Sequence, residues 1–321
     1  MNAIVASARG ARLVEITDPT PSAGDCLVRV TAALLTPADL RHSVSVEGTN
    51  SASTIALGES FVGIVEAIAD NDTSTRDIRQ LIGQRVVVHP IVRCGRCERC
   101  LAGLGAHCES RAVLGVHRPG GIAERVVVPT ANLVAIPSSL DDERAVFAVT
   151  VASALEAMRH VRVEGKAYIS VLGDDLVALV TAQVMARLNV AVRVIAREAT
   201  TLAAAEKLGV KHRHADEVGR RGDQHVVVDS TGSPESLDLA MRLARPRATI
   251  LLLAAVGAVN LLPLVEGELR IHGCGHGPLA EAVGLLASRG VEVVSLIERR
   301  VALTALADAF AERRTGVLVR T

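Results

Sequence analysis

The chain has 321 residues, and its 35 Lys and Arg balance 35 Asp and Glu, so the formal net charge is zero. This balance argues against the basic surface that nucleic-acid binding requires, and the near absence of aromatic residues leaves few side chains to stack on bases. The start of the chain lacks the apolar run of a signal peptide, and no apolar stretch is long enough for a membrane span. The composition therefore predicts a cytoplasmic protein with no nucleic-acid or membrane partner.

Short Val-rich runs, each bounded by Gly, Pro or Asp, follow one another in the first part of the chain. They lie at residues 26–31, 62–67, 85–89 and 121–129. Short strands at this spacing are typical of a small β-barrel-like domain. We place this domain at residues 1–149.

Four cysteines fall close together between two of these runs, with the spacing C-x2-C-x2-C-x7-C. They are Cys94, Cys97, Cys100 and Cys108. Four thiolates make the closed tetrahedral ligand set of a structural zinc ion. We expect one such ion per chain, held in a lobe at about residues 93–109. Two disulfides or an iron–sulfur cluster are the alternatives, although disulfides are more typical of small secreted chains.

From about residue 141 onward, helical spacing alternates with continuous apolar runs. The apolar runs lie at residues 167–172, 191–195, 225–229 and 248–253. Buried parallel strands have this composition, and alternating strands and helices predict a parallel sheet covered on both faces. We expect a doubly wound nucleotide-binding domain at residues 150–270. The tail is expected to hold helices around a short strand at residues 291–296.

Several motifs resemble the medium-chain dehydrogenase/reductase superfamily, of the zinc-type alcohol dehydrogenase kind. Residues 57–66 (LGESFVGIVE) are similar to its GHEFxGxV segment, and residues 120–124 (GGIAE) are similar to its GGFAEY segment. Residues 171–178 (VLGDDLVA) take the position of the dinucleotide fingerprint. Residues 229–233 (DSTGS) resemble the DxTG turn beside the cofactor. The cysteine lobe is the most specific of these motifs.

The resemblance implies an α/β fold with two domains. A GroES-like β-barrel catalytic domain, residues 1–149, would be completed by residues 271–321, and a Rossmann domain at residues 150–270 would bind NAD or NADP. The family's activity implies an oxidoreductase with a small-molecule substrate. The family also implies a homodimer, formed through the last Rossmann strands, which would correspond here to residues 251–259.

The positions that hold the catalytic zinc ion in this family are all changed. They fall at Thr36, Glu59 and Val149 in this chain. Catalytic zinc takes three protein ligands and a water molecule. Glu59 could supply one ligand, a neutral Thr hydroxyl is a poor ligand, and Val149 has no donor atom. We therefore expect that the catalytic zinc ion is missing, and with it the Lewis acid that polarises a carbonyl group.

The expected catalytic residues are Thr36, Glu59 and Ser60. Glu59 could give or take a proton, or it could be a carboxylate that only bonds nearby backbone. Thr36 and Ser60 could bind a substrate carbonyl, or they could fill the space left by the metal. Asp39 is either an acid near this site or the cap of a helix that begins at Leu40.

The expected cofactor-binding residues are Gly173, Asp175, Ala178, Arg197 and Gly232. Asp175 stands where a glycine lets the backbone approach the pyrophosphate. At about 4 Å and an effective dielectric near 20, one like-charge repulsion costs roughly 4 kcal/mol. A micromolar ligand has only about 8 kcal/mol of binding free energy, so Asp175 argues against ordinary cofactor binding. Arg197 could meet a 2′-phosphate, which would favour NADP, or it could lie in solvent.

Two functions are compatible with these motifs. The first is an NAD(P)(H)-dependent oxidoreductase that transfers hydride by positioning alone, without a catalytic zinc ion. The second is a pseudoenzyme that keeps the fold and the structural zinc, and binds a partner with its altered cleft. A cofactor titration separates the two, since only the first requires that NADH or NADPH bind.

Overall fold

The computed structural model describes residues 1–7, 10–44, 55–69, 80–162, 165–219 and 221–321. Contacts divide this part of the chain into two compact units. The first unit consists of Met1–Val149, Leu279–Ser288 and Ile297–Thr321, and the second consists of Thr150–Pro278 and Arg289–Leu296. Within the described ranges, every helix is too short or too polar to cross a lipid bilayer.

The strands are β1 Asn2–Ser7, β2 Gly10–Glu15, β3 Asp25–Leu35, β4 Phe61–Ile68, β5 Arg85–Val88, β6 Ile91–Val92, β7 Ala112–Val113, β8 Arg125–Pro129, β9 Leu133–Ala135, β10 Tyr168–Leu172, β11 Ala191–Ala196, β12 Lys211–His214, β13 Gln224–Asp229, β14 Ala244–Leu252, β15 Arg270–Gly273, β16 Arg299–Ala302 and β17 Val317–Arg320. The α-helices are α1 Pro37–Val44, α2 Glu98–Leu101, α3 Asp142–Ala145, α4 Ala148–Arg159, α5 Leu176–Ala186, α6 Ala199–Lys207, α7 Pro234–Leu243, α8 Leu262–Glu266, α9 Leu279–Ala287 and α10 Leu306–Ala311. Short 3-10 helices lie at Gly105–His107, Thr130–Asn132, Ala215–Glu217, Val294–Leu296 and Leu303–Ala305.

The second unit is built on a parallel sheet. In the described residues, its six strands have the order β12-β11-β10-β13-β14-β15, and each neighbouring pair is parallel. Central residues such as Val171, Val227 and Ile250 are fully buried, because helices connect and cover the strands. This order is that of the doubly wound nucleotide-binding sheet. The α/β fold predicted from the apolar runs is therefore confirmed.

The first unit contains a largely antiparallel sheet that includes the last strand of the chain. Its described strands have the order β16-β17-β3-β4-β5-β9, and β8 also pairs with β3. Strand β17 lies antiparallel to β3 and parallel to β16. The core of this unit is mostly aliphatic, with Phe61 and Phe310 packed among Val and Leu side chains. Residues from both ends of the chain thus share one core.

Two expectations about the tail are wrong. The return to the first unit does not occur at residue 271, because Arg270–Gly273 is strand β15 and pairs with β14 of the parallel sheet. The chain re-enters the first unit at Leu279. The strand expected at residues 291–296 is not formed either, since Val294–Leu296 is a 3-10 helix.

Candidate functional site

The four cysteines converge in a lobe of the first unit. Their sulfur atoms all lie within 4.8 Å of one another: Cys94, Cys97, Cys100 and Cys108. The backbone N–H of Cys94 donates to the Cys108 sulfur at 3.3 Å, and that of Cys97 donates to the Cys94 sulfur at 3.4 Å. Such bonds favour the thiolate, the form that binds metal. The set can hold one tetrahedral ion, and four thiolate donors suit zinc.

Local turns bring these sulfur atoms together. Gly95 and Gly103 adopt φ of 73° and 78°, a left-handed conformation that costs glycine little. They let the chain reverse on either side of the short helix α2. The Arg99 guanidinium donates to the His107 carbonyl at 3.1 Å and closes the lobe from outside. All six cysteines are free thiols in this structure. The two disulfides considered as an alternative for the lobe are therefore not formed.

The segment that precedes β4 is held by two glycines of the GGIAE motif. The Gly121 N–H donates to the Gly58 carbonyl oxygen at 2.9 Å. A Cβ atom on Gly121 would lie 2.1 Å from the Phe61 ring, and one on Gly120 would lie 2.3 Å from the Gly58 oxygen. Glycine is therefore required at both positions by close approach of the backbone. This packing sets the position of Glu59, the residue after Gly58.

A buried polar group, which we call the Asp39 group, consists of Thr36, Asp39, His42 and Glu59. Asp39 is 1% exposed, and Thr36 and Glu59 are 6% exposed. The Asp39 Oδ2 atom accepts hydrogen bonds from the Thr36 N–H at 2.9 Å and the Thr36 hydroxyl at 2.7 Å. The Glu59 Oε1 atom lies 3.3 Å from Nε2 of His42. Burial and the charge of Glu59 raise the pKa of Asp39 to about 6, so this carboxyl titrates near neutral pH.

The helix that carries Asp39 begins earlier than the sequence suggests. Helix α1 starts at Pro37 and not at Leu40, so Asp39 lies in its first turn. The carboxylate reaches back to the Thr36 N–H, as the acidic residue of a capping box does. Asp39 therefore stabilises the start of α1 from inside its first turn, so the expectation that it caps a helix beginning at Leu40 is wrong.

The other residues at the family's metal positions offer no compact ligand set. Val149 lies in helix α4 and is half-buried, and its side chain has no donor atom. Ser60 is 1% exposed, and its carbonyl oxygen accepts from the Leu34 N–H at 2.9 Å, which brings it to the end of β3. In the described part of the chain, the cysteine set is the one group of three or more His, Cys, Asp or Glu ligands that meet within 4.8 Å.

In the second unit, the turn after β10 is closely packed. A Cβ atom on Gly173 would lie 2.2 Å from the Ser230 hydroxyl oxygen and 2.7 Å from the Ala178 Cβ. Ala178 is fully buried, so neither position accepts a larger side chain. The tight turn and close helix–strand packing of a dinucleotide-binding sheet are therefore kept, and these two residues fit such a cofactor.

Asp175 is the N-cap of helix α5. Its Oδ1 atom accepts from the Val177 N–H at 2.9 Å and the Ala178 N–H at 3.3 Å. These first-turn N–H groups are the ones that bind a pyrophosphate in this fold. The side chain therefore takes the place of phosphate oxygens, in addition to repelling them. A dinucleotide fits the Gly173 turn, but it does not fit the start of α5 while this carboxylate stays bound.

Arg197 forms an exposed ion pair with Asp216. Its Nη1 atom lies 3.2 Å from Asp216 Oδ1 and both side chains are more than half exposed, so a 2′-phosphate would compete with this carboxylate for the guanidinium. The neighbouring Asp174 Oδ1 atom accepts from the backbone N–H groups of Arg197 and Glu198, at 2.5 and 2.8 Å. A cavity of about 150 Å³ lies here, with a lining that includes Gly173, Asp174, Arg197, Thr231, Ser233 and Glu235.

The DSTGS motif forms a turn after β13 that is held by hydrogen bonds to the Asp229 carboxylate. Asp229 Oδ1 accepts from the Thr231 N–H at 2.9 Å, the Thr231 hydroxyl at 2.7 Å and the Ser236 hydroxyl at 3.0 Å. Burial raises the pKa of Asp229. Gly232 has a φ of 74°, and a Cβ atom there would lie 2.7 Å from the Ala255 carbonyl oxygen. Gly232 is thus required by the backbone, while its neighbours Thr231 and Ser233 line the cavity.

Sequence reasoning did not single out His42 or Glu235. His42 follows Asp39 by three residues on a helix, a spacing that puts both on one face and could have indicated it. Glu235 lies at the start of α7 and lines the same cavity as Arg197, and no sequence signal connects these two distant residues. The expected residues Thr36, Glu59 and Ser60 do belong to one region of the first unit.

Comparisons with known proteins agree with this geometry. The Alcohol dehydrogenase GroES-like domain family matches residues 22–138. The starvation-sensing protein RspB of Escherichia coli is 32% identical over 173 residues, a match that covers 54% of this chain and 49% of RspB. The chain thus spans about half the length of that curated relative. An uncharacterized zinc-type alcohol dehydrogenase-like protein of Haemophilus influenzae is 25% identical over 89% of this chain and 86% of its own length.

A solved structure from Sinorhizobium meliloti extends the likeness to the whole chain. That protein, described as a zinc-binding dehydrogenase bound to NADP, has a TM-score of 0.86 and 26% identity, and the match covers 100% of this chain and 99% of that one. The family match lies in the first unit, and the structural match spans both units. Residues 22–138 therefore carry an alcohol dehydrogenase GroES-like domain, and the whole chain has the fold of a zinc-binding dehydrogenase, with a Rossmann-type parallel sheet in the second unit.

Proposed function

We propose that this chain is a nicotinamide-dependent oxidoreductase that transfers hydride to or from a small-molecule substrate without a catalytic zinc ion. The observation that carries the proposal is the Asp39 group, which supplies a buried acid where the family holds its metal. The NADP-bound relative from Sinorhizobium meliloti supports the cofactor class. The substrate class is a carbonyl compound or its alcohol, since these exchange hydride with a nicotinamide.

Residues of the first unit would bind the substrate oxygen and would donate or accept the proton that accompanies hydride transfer. The Thr36 hydroxyl, already hydrogen-bonded to Asp39, is suited to bind a substrate oxygen. Asp39, with its pKa raised to about 6, is suited to general acid–base catalysis near neutral pH. Glu59 contributes the charge that raises this pKa. In the absence of a Lewis acid, proton transfer and positioning would be the chain's own contribution to the rate.

The first test is cofactor binding. NADH and NADPH are titrated by fluorescence into the wild-type chain and into Asp175→Gly, which removes the carboxylate from the start of α5. We expect weak binding to the wild type and at least about tenfold tighter binding to the variant, given the roughly 4 kcal/mol repulsion. Asp175→Asn is the matched control, because it can keep the cap without the charge. Absence of binding to every form at millimolar cofactor would overturn the proposal.

The second test is the metal content. Elemental analysis of the purified chain should give about one zinc per chain, and substitution of Cys97 by Ser should remove it. Two zinc ions per wild-type chain would reveal a second metal site. That result would contradict the proposal of a reaction without a catalytic zinc ion, whatever the cofactor titration shows.

One observation favours a second candidate function, a pseudoenzyme that binds a partner. The Asp175 side chain occupies the N–H groups that a cofactor needs, and so mimics the bound ligand. If the wild type binds neither cofactor while Asp175→Gly binds one, the natural chain is better described as this binding protein. Binding of either cofactor to the wild type at physiological concentration would exclude that description.

A further inference from the structure

The connection between β12 and β13 is too short to supply a covering helix. It consists of the nine residues 215–223, whereas a crossover between parallel strands ordinarily takes a dozen or more residues and is usually an α-helix. Its described part contains one 3-10 turn, Ala215–Glu217. Since β11 and β10 lie between β12 and β13 in the sheet, the connection crosses one face of both strands. That face lacks the helix that such a crossover usually supplies.

The carboxyl half of this face is nevertheless packed. Ala215 and Val218 of the short connection contact an apolar cluster that includes Leu172 at the end of β10 and Ile195 near the end of β11. Residues of α7 belong to the same cluster. The connection and α7 therefore cover the apolar side chains near the carboxyl ends of the strands.

Towards the amino ends of the strands, the same face is polar and open to solvent. Ser170 pairs with Arg193 across the sheet, and Tyr168 lies two residues before Ser170, so all three point to one side. Lys211 pairs with Arg193 in register, and Arg213 follows two residues later on the same side. We call Tyr168, Arg193, Lys211 and Arg213 the basic face. Arg193 is half-buried, and the other three residues are exposed.

The positive charge of the basic face is not paired within the described residues. None of its three cations forms an ion pair there. Arg193 Nε donates to the Ser170 hydroxyl at 2.9 Å, and this neutral group donates to Gln224 Oε1 at 2.7 Å. Burial lowers the pKa of Arg193, and the charge of Arg213 lowers it further, against the opposing charge of Asp223. An anionic partner would therefore be attracted to this face.

The residue types of the basic face favour a protein partner. Tyr168 is the one tyrosine of the chain and is 47% exposed, although the three Phe side chains are buried. Exposed Tyr and Arg are the residues most enriched at protein interfaces. A single-stranded nucleic acid would need several aromatic side chains for successive bases, and this face has one.

The spacing of the cations suits an acidic helix. Neighbouring strands lie about 4.8 Å apart, and alternate residues of one strand lie about 6.6 Å apart. Side chains three or four residues apart on a helix are separated by about 5–6 Å, which is close to both distances. A row of carboxylates on one side of a helix could thus meet Arg193, Lys211 and Arg213 together.

We propose that the basic face binds an acidic helix of a partner protein, which covers the part of the sheet that the short crossover leaves open. Tyr168 supplies the apolar contact, and the three cations pair with Asp or Glu side chains of the partner. The site lies at the β12 edge of the sheet, opposite the β15 edge. It is therefore distinct from the surface at residues 251–265 and needs neither cofactor nor substrate.

Intrinsic fluorescence provides a local test, because the chain has no Trp and its one Tyr lies on the basic face. The probe is a synthetic Ala-rich helical peptide that has Glu residues four apart on one side and no aromatic residue. We expect a saturable change in Tyr168 emission, and no change with the same peptide carrying Gln in place of Glu. Lys211→Gln combined with Arg213→Gln should weaken the affinity about tenfold, since each exposed ion pair contributes up to about 1 kcal/mol.

Arg187→Gln combined with Lys207→Gln is the matched control, because these two exposed cations lie at the ends of α5 and α6 in the same unit. This control should bind the Glu peptide as the wild type does. An equal loss in both double variants, or no binding of the Glu peptide at millimolar concentration, would overturn the proposal. Tighter binding of oligothymidine or of phosphatidylserine vesicles than of the peptide would also overturn it. Lys211→Gln alone repeats the comparison if the double variant does not fold.

Discussion

At the scale of single residues, positions without side chains shape the candidate site as much as its functional groups do. Gly120 and Gly121 approach the segment that carries Glu59 so closely that any Cβ atom would collide with it. Asp175 shows the opposite case, because its added carboxylate replaces a ligand's contacts with the chain's own. In the first case the lack of a side chain lets two backbone segments pack together, and in the second an added side chain occupies backbone N–H groups that a ligand would bind.

Substitution of Gly121 by Ala tests the first case. A Cβ atom 2.1 Å from the Phe61 ring must displace that buried ring, so we expect a loss of about 2–3 kcal/mol in the free energy of unfolding. Urea denaturation measures the change. Gly284→Ala is the control: it lies in helix α9 of the same unit with no atom within 4 Å of the added Cβ, and should be neutral or slightly stabilising. A similar loss in both variants would contradict the packing argument.

The sequence predicts the candidate site only in part. The cysteine spacing was sufficient to find the metal ligands, because one short segment supplies all of them. The Asp39 group combines α1 with the loop before β4, so its contacts depend on the fold. The pairing of Arg197 with Asp216 has the same cause, since the two residues follow different strands of the sheet.

At the scale of elements, the accuracy of the predictions follows burial. The apolar runs that became β11 and β13 were visible because a parallel strand is buried on both faces. Strand β16 has the sequence RRVA and lies at a sheet edge with mostly exposed residues, so it carried no such signal. The run at residues 291–296 has strand-forming residues, but only its last part forms regular secondary structure, as a 3-10 helix. Tertiary context outweighed local preference there.

Helix α3 is tied to the last two strands by Glu143. Its carboxylate accepts hydrogen bonds from Arg300 at 2.7 and 3.0 Å and from Arg320 at 2.7 Å. These bonds, those of Arg300 foremost, lower the pKa of Glu143 from 4.5 to about 2. A depressed pKa means that the unfolded chain binds the proton more readily. The stabilisation is therefore complete above about pH 4.5 and is lost as the pH falls towards 2.

Substitution of Glu143 by Gln should remove this stabilisation. We expect the variant to lose about 1–2 kcal/mol of unfolding free energy at pH 7, after allowance for solvent screening. The difference from the wild type should shrink as the pH falls from 4.5 to 2. Denaturation at several pH values measures it, with Glu206→Gln on α6 as an exposed control. A difference independent of pH would exclude the ionic contribution.

At the scale of the whole molecule, the second unit presents apolar residues that suggest a partner. Leu261, Leu262 and Val265 are 48%, 57% and 71% exposed, beside a cavity of about 550 Å³ lined mainly by apolar residues between Leu237 and Gly275. Residues 251–259, which the family resemblance assigns to a dimer interface, contribute to the same lining. Dimerisation stays a prediction, and it would cover this surface.

Light scattering coupled to size exclusion tests the prediction. The wild type should have twice the chain mass of 33.6 kDa, and Val265→Glu should shift it towards the monomer, because it buries a charge in the interface. Leu101→Glu is the control, since Leu101 is 76% exposed but lies in the cysteine lobe. Monomeric wild-type protein would show the expectation to be wrong.

The position of β17 has a consequence for biosynthesis. This strand pairs with β3 in the middle of the first unit's sheet. That sheet is therefore complete only after residues near 320 have been synthesised. The parallel sheet of the second unit needs only residues up to Gly273. While the chain leaves the ribosome, the parallel sheet can therefore form before β17 is made, and the edge of β3 at residues 32–35 stays unpaired until then.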